Sequence, residues 1–112
     1  MIQWTTFDSI SQINNINILS KEKPIAIFKH STRCSISIMA KNRLERECHS
    51  DEILFYYLDL LSFRQLSDEV AKYYNILHES PQLLLIKNAK CIHVETHNAI
   101  SYYELLQHLA ND

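Results

Sequence analysis

Cys34 is the residue of this chain best placed to do chemistry. It follows a short apolar run, Ile25-Ala-Ile-Phe28, by a few residues and opens a stretch with helical spacing. Unpaired N–H groups at a helix start favour a nearby anion, so a thiolate there is stabilised. Lys29 and Arg33 add positive charge just before it in the chain. The thiolate is the attacking species in thiol–disulfide exchange, which is the reaction this position suggests. The competing reading is a small packed hydrophobe, the fate of most free cysteines. Position and charge together favour the reactive one.

The spacing of the neighbouring residues restricts that chemistry further. In Cys34-Ser35-Ile36-Ser37 a serine stands where a dithiol motif would carry its second cysteine. Ser37 can offer the sulfur a hydrogen bond but cannot form a disulfide with it. Cys48 lies 14 residues on, about 21 Å along a continuous helix. Disulfides need Cα atoms within about 7 Å, so Cys48 cannot resolve Cys34. Cys91 falls near the start of a strand and is expected to pack there. A phosphatase-type Cys-x5-Arg loop would need arginine at position 40, which is Ala40. The 6 histidines form no paired metal or protease signature, and no metal site is expected. They read as solvated or locally hydrogen-bonded groups, with His30 and His97 as alternatives for the vicinity of the thiol. What remains is a one-thiol mechanism.

The elements that must position these residues can be read from apolar spacing. Ile10, Ile13, Ile16 and Leu19 follow a capping-box pair, Ser9 and Gln12, and predict a first helix. Ile25–Phe28 predicts a buried strand beginning after Pro24. A second helix runs from Cys34 to about Glu47, with Ile36, Met39/Ala40 and Leu44 sharing one face. Ile53–Leu58 predicts a second strand ending near Asp59. Ser62 and Gln65 repeat the capping-box spacing before a stripe of Leu66, Val70, Tyr73, Tyr74 and Leu77. Leu83–Ile86 and Cys91–Thr96 predict a hairpin around Asn88-Ala-Lys90, with Asn88 a candidate for a left-handed conformation. Ser101 and Glu104 predict a third capping box before a helix burying Tyr102, Leu105, Leu106 and Leu109. The order is α-β-α-β-α-β-β-α within a single domain spanning 1–112. Right-handed crossovers and a closing hairpin then give a mixed four-stranded sheet with helices on both faces, a thioredoxin-like α/β fold.

Composition removes whole classes of function. The 112-residue chain contains no glycine, where average usage near 7% predicts about eight. Glycine loops that cradle phosphates are therefore excluded, and with them P-loop, dinucleotide and kinase-type sites. A net charge of −2 offers no electrostatic footprint for nucleic acid. No stretch approaches the ~18 apolar residues of a membrane span, and Met1-Ile-Gln-Trp-Thr-Thr lacks the form of a signal peptide. Three widely spaced cysteines are unlike a secreted disulfide framework, so a cytoplasmic, monomeric domain is expected.

Two segments carry a more specific signal. Phe28-Lys-His-Ser-Thr-Arg-Cys-Ser-Ile-Ser37 and His78-Glu-Ser-Pro-Gln82, with Ile100-Ser101 near the end, resemble the monothiol bacilliredoxins, and the likeness extends from about Trp4 to Leu109. These are thioredoxin-like redox proteins of bacteria that use bacillithiol in place of glutathione. The resemblance implies that Cys34 is the nucleophile and that Ser37 occupies the resolving-cysteine position. It also implies that Pro81 is a cis-proline beside the thiol, preceded by Ser80, whose backbone meets an extended substrate. Ser35 and Ile36 would line the same site, and Lys29 or Arg33 would pair with the malate carboxylates of bacillithiol. The family usually has Cys-Pro-Ile-Ser, whereas Ser35 stands here in place of that proline. Ser35 restores an N–H near the sulfur, which is expected to alter thiol acidity and not to abolish activity.

The activity so implied is removal of bacillithiol from S-bacillithiolated proteins. Bacillithiol is then a co-substrate, with no tightly bound cofactor. Two rivals stand beside it. A non-enzymatic redox sensor, or interaction module, would also need a reactive Cys34 that becomes capped. An iron–sulfur carrier of the monothiol glutaredoxin kind would need glycine after the cysteine, where this chain has Ser35.

Overall fold

Two apolar runs lie side by side at the centre of the computed structural model, which describes residues 2–111. Strand β2 (Ile25–His30) is buried at all six positions, and β3 (Leu54–Asp59) pairs with it in parallel, Ile25 opposite Leu54 and His30 opposite Asp59. On its other side β4 (Gln82–Lys87) runs antiparallel, with Lys29 opposite Gln82. Strand β5 (Lys90–Thr96) closes the hairpin with β4. A further strand, β1 (Trp4–Thr6), adds in parallel to β3, so the sheet has five strands in the order β1-β3-β2-β4-β5, not the four expected. Three residues, none fully buried, are too few to show an alternating pattern. Pairing of Trp4 with Phe55 makes this segment a strand, and that partner lies far off in sequence.

Alternation along β2 sends its side chains into two separate cores. Ala26 and Phe28 join Ala40 and Leu44 of helix α2 (Ser35–Glu47) and Tyr102 and Leu105 of α4 (Tyr102–Asn111). Ile25 and Ile27 join Ile13 and Ile16 of α1 (Ile13–Leu19) and Leu66 and Val70 of α3 (Arg64–Tyr74). Helices therefore cover both faces of a mixed sheet, as in a thioredoxin fold. No described helix is long and apolar enough to cross a membrane.

Of the three expected capping boxes, one forms. Ser9 and Gln12 cap each other's backbone at the 3₁₀ turn, Ile10–Gln12, that leads into α1. Before α3 the cap position is Phe63. Ser62 instead donates to Asp59 Oδ2 (3.1 Å), while Asp59 Oδ1 accepts the Leu61 amide (3.0 Å). The turn out of β3 is thus organised by Asp59, which leaves Ser62 one residue too early to cap. Helix α3 ends at Asn75, left-handed at φ 58°, with Ile76 N–H returning to Ala71 O (2.9 Å) in a Schellman ending. Leu77 consequently lies beyond the helix and is exposed, not part of the buried stripe.

At α4 the caps are carboxylates from elsewhere in the fold. Glu47 Oε1 accepts the Tyr102 amide (2.9 Å) and the Ser101 hydroxyl (3.3 Å), and Glu95 Oε1 accepts the Ser101 amide (2.9 Å). Glu95 is buried, and its other oxygen lies 3.0 Å from His93 Nε2. Burial pushes the Glu95 carboxyl up to about 7; Glu104 and Glu47 act in the same direction, while the Ser101 amide and His108 oppose it. Burial also lowers the pKa of His93, whose ring stacks on His108.

The hairpin turn shows how a chain without glycine makes a tight reversal. Asn88 (φ 53°) and Ala89 (φ 65°) both have positive φ, the sign pattern of a type I′ turn. Asn88 was the expected left-handed residue; Ala89 joins it, although its Cβ disfavours that region by about 1–2 kcal/mol. Ser20, at the end of α1, holds the turn by accepting the Asn88 amide on its carbonyl (3.0 Å) and the Ala89 amide on its hydroxyl (2.8 Å).

Two outcomes are expected. Ala89→Gly should raise stability by about 0.5–1 kcal/mol in chemical denaturation, less than the full strain because glycine gains entropy when unfolded. An unchanged midpoint would mean that the strain at Ala89 is no larger than that entropic loss. For Glu95, the folded state keeps a proton that the unfolded chain releases from 4.5 upward. Its contribution is complete below that value and is lost as pH rises through about 7. Glu95→Gln, which keeps the acceptor for Ser101, should be more stable than the parent at about pH 8 and should flatten the pH dependence of stability between about pH 5 and 8.

Candidate thiol site

The site begins where β2 runs out. The chain turns through Ser31, Thr32 and Arg33, with the Cys34 amide donating to Ser31 O (3.2 Å) and the Arg33 amide to Ser31 Oγ (3.3 Å). Cys34 is the N-cap of α2, extended at φ −108° and ψ 117°, and its carbonyl accepts the Ile38 amide (3.0 Å). Its side chain makes no capping hydrogen bond. The first-turn amides therefore remain to be satisfied around the sulfur, at the positive end of a 13-residue helix. Cys34 is partly exposed, and Arg33, Ser35 and Ile36 are exposed beside it in the chain.

Ser37 is i+3 from Cys34, yet its hydroxyl is committed inward. It is fully buried, accepts the Ser31 amide (3.0 Å) and is in close hydrogen-bond contact with His30 Nδ1. The ring of His30 stacks on Phe28 and meets the edge of Tyr57, both at 5.5 Å between centroids. Burial lowers the pKa of His30, helped by Lys41 and opposed by Asp59 and Glu45. Ser37 was expected to face the sulfur and the substrate; it serves instead as a buried strut between α2 and the end of β2. Outside this pair, Glu45 accepts from Trp4 Nε1 (2.7 Å) and from Lys41 Nζ (2.9 Å), tying β1 to α2.

Lys29 points the other way. Strand alternation puts it on the face of α1 and α3, fully buried, so it is not a positive charge beside Cys34. Its ammonium donates to Ser67 O (3.2 Å) and lies 3.2 Å from His78 Nδ1. Burial lowers the Lys29 pKa to about 8, with Asp68 and Cys91 opposing. Burial also depresses His78, aided by Lys29 and Arg64 and opposed by Asp68 and Glu79.

The Ser80–Pro81 bond is cis, as expected. Because Lys29 pairs with Gln82, the proline lies at the same end of the sheet as His30 and the loop to Cys34. Pro81 O accepts the His97 amide (3.1 Å), and His97 Nε2 lies 3.7 Å from Glu79. Of the two histidines considered for the thiol's vicinity, His30 thus holds the first turn of α2 through Ser37, and His97 holds the proline loop. Two further residues of this region, His78 and Gln82, had no role assigned from sequence. They stood inside the His78–Gln82 motif, but their function depends on the inward course of Lys29, which spacing alone did not reveal.

The other thiols are remote or packed. Cys48 is the C-cap of the helix that Cys34 begins, and it is buried. Cys91 packs on the α1 and α3 core, and burial pushes its thiol up. A cavity of about 650 Å³ lies at the Cys48 end of α2, lined by Ile2, Trp4, Cys48, His49 and Phe55, away from the candidate site. Among the described residues no cluster of three or more His, Cys, Asp or Glu is arranged to hold a metal ion.

Known proteins share this fold. A solved structure described as a candidate oxidoreductase with a thioredoxin fold is 30% identical over 95% of this chain and 93% of its own, with a TM-score of 0.81. Thioredoxin from Malassezia sympodialis is 19% identical over 96% of this chain and 92% of its own (TM-score 0.75). Thioredoxin from Trypanosoma brucei brucei is 12% identical over 98% and 93% (TM-score 0.77). At those identities the two thioredoxins show the fold alone. The family model for the monothiol bacilliredoxin BrxC matches residues 5–105, and the chain belongs to that family.

Proposed function

We propose that this protein is a monothiol thiol–disulfide oxidoreductase that removes bacillithiol from S-bacillithiolated proteins. One observation carries the reading. Cys34 stands partly exposed at a helix N-terminus, while Ser37 is turned inward and Cys48 sits at the other end of the same helix. A second thiol for an internal disulfide is not within reach.

The reaction follows from that arrangement. The Cys34 thiolate attacks the bacillithiol sulfur of a protein mixed disulfide. A new S–S bond forms between Cys34 and bacillithiol as the old one breaks, and the repaired protein leaves as its thiolate. An external thiol, free bacillithiol, then attacks the Cys34-bound sulfur, releasing oxidised bacillithiol and regenerating the thiolate. The incoming free bacillithiol is the reductant, and the adduct's sulfur stays at the disulfide level throughout, leaving within oxidised bacillithiol. Arg33, exposed beside the thiol, is the base suited to the malate carboxylates; the buried Lys29 is not. Ser80 and Pro81 would receive the main chain of the client protein. The reducing cytoplasm suits three cysteines that are all free, and the protein would act there as a monomer.

Two measurements test this. Reduced protein mixed with oxidised bacillithiol should gain one bacillithiol mass at Cys34, and modification that persists in Cys34→Ser would refute the assignment. With excess bacillithiol, substoichiometric protein should restore a bacillithiolated peptide over many turnovers. A single stoichiometric transfer would mark a sensor.

A further inference from the structure

A buried ammonium on a central strand is costly, and an aliphatic side chain would satisfy the position at Lys29 without that cost. What the amine holds is therefore informative. An ammonium only donates, so the His78 Nδ1 atom 3.2 Å away must present its lone pair, which leaves the ring proton of neutral His78 on Nε2. Ser67 Oγ lies 3.2 Å from the same nitrogen, and the Lys29 amine is itself fixed by Ser67 O. The ring is thus anchored from β2 and from α3 at once.

The residue next to it is anchored from β4. Gln82, opposite Lys29 in the sheet, donates its side-chain amide to Leu77 O (2.8 Å), although its own Oε1 is left buried without a partner among the described residues. Beyond the proline, Pro81 O takes the His97 amide. Residues 77, 78 and 81 are therefore tied down. Between them, neither the amide nor the carbonyl of Ser80 has a partner among the described residues. A held loop that presents an unpaired donor and acceptor suits the main chain of a peptide better than a small isolated thiol.

We infer that Lys29 is a positioning residue for peptide disulfide substrates, acting through His78 to hold the 77–81 loop in the form that accepts their main chain. The inference rests on the thiol-exchange reading above and adds to it a basis for preferring protein disulfides over small ones. Lys29 touches neither Cys34 nor the substrate; its effect is on affinity.

The test compares two disulfides in the full chain. One is a short peptide carrying bacillithiol on its cysteine; the other is bis(2-hydroxyethyl) disulfide, which has no peptide main chain. Lys29→Met keeps the length of the side chain and removes the donor. It should raise KM for the peptide about tenfold, the scale of one lost charge-assisted hydrogen bond, with kcat unchanged. Turnover of hydroxyethyl disulfide and the alkylation rate of Cys34 by iodoacetamide should stay at parental values. The side-chain nitrogen spectrum of His78 should show the Nε2–H tautomer in the parent and lose that fixed preference in Lys29→Met. Should Lys29→Met fail to fold, His78→Leu cuts the same link from the half-exposed end and should give the same KM change. Parental KM in a folded variant, or equal loss on both disulfides, would overturn the inference while leaving thiol exchange intact. A parent protein that turns over neither disulfide would overturn the thiol-exchange reading, and this inference with it.

Discussion

The site depends on one constraint, the burial of both faces of β2 up to its last residue. A strand so enclosed cannot send a polar side chain to water, so each polar group it carries must find a partner inside. Its last two residues are polar and, by strand alternation, point into opposite cores. His30 meets Ser37 and Lys29 meets His78 and Ser67. The first contact fixes the start of the helix that bears Cys34; the second fixes the loop that carries the cis-proline. Two adjacent residues thereby set the two halves of the thiol site in relation to one another.

The same inward contacts bear on the proposed one-thiol exchange. In a dithiol motif the residue three positions after the nucleophile faces the sulfur and closes the cycle. Here that residue spends its hydroxyl on His30 and on the Ser31 amide, so it braces the loop and takes no electrons. In the proposed reaction, exchange is therefore completed by a thiol from outside. An open, partly exposed sulfur at an uncapped helix end is compatible with that demand, because the second thiol needs access along the line of the S–S bond.

Absence of glycine is accommodated by local chemistry with help from distant residues. The left-handed positions are taken by Asn75, Asn88, Ala89 and His97, and two of these occur in one hairpin turn that Ser20 ties to α1. Carboxylates perform a similar service at α4, where Glu95 from β5 takes the Ser101 amide expected to go to Glu104, and Glu47 from α2 takes the Tyr102 amide. These contacts knit the helix layer to the sheet edge, and burial raises the pKa of Glu95 at that junction to about 7.

Apolar spacing by itself determined the kind and order of the principal elements, the helix register of Ile13, Ile16, Leu66 and Val70, and the placement of Cys34 at a helix start. Helix rise, a local property, also put Cys48 out of reach of Cys34. These features are legible because a period of two or 3.6 is written in consecutive residues. The tertiary structure decided the rest: that Trp4–Thr6 is a strand, that Ser62 and Ser101 do not close capping boxes, that Leu77 lies outside the core, and that Lys29 and Ser37 turn inward. Each of those outcomes turns on a polar group or a short segment whose partner is remote in sequence. Burial dictates that such a group be satisfied, but only the packing of whole elements determines by what.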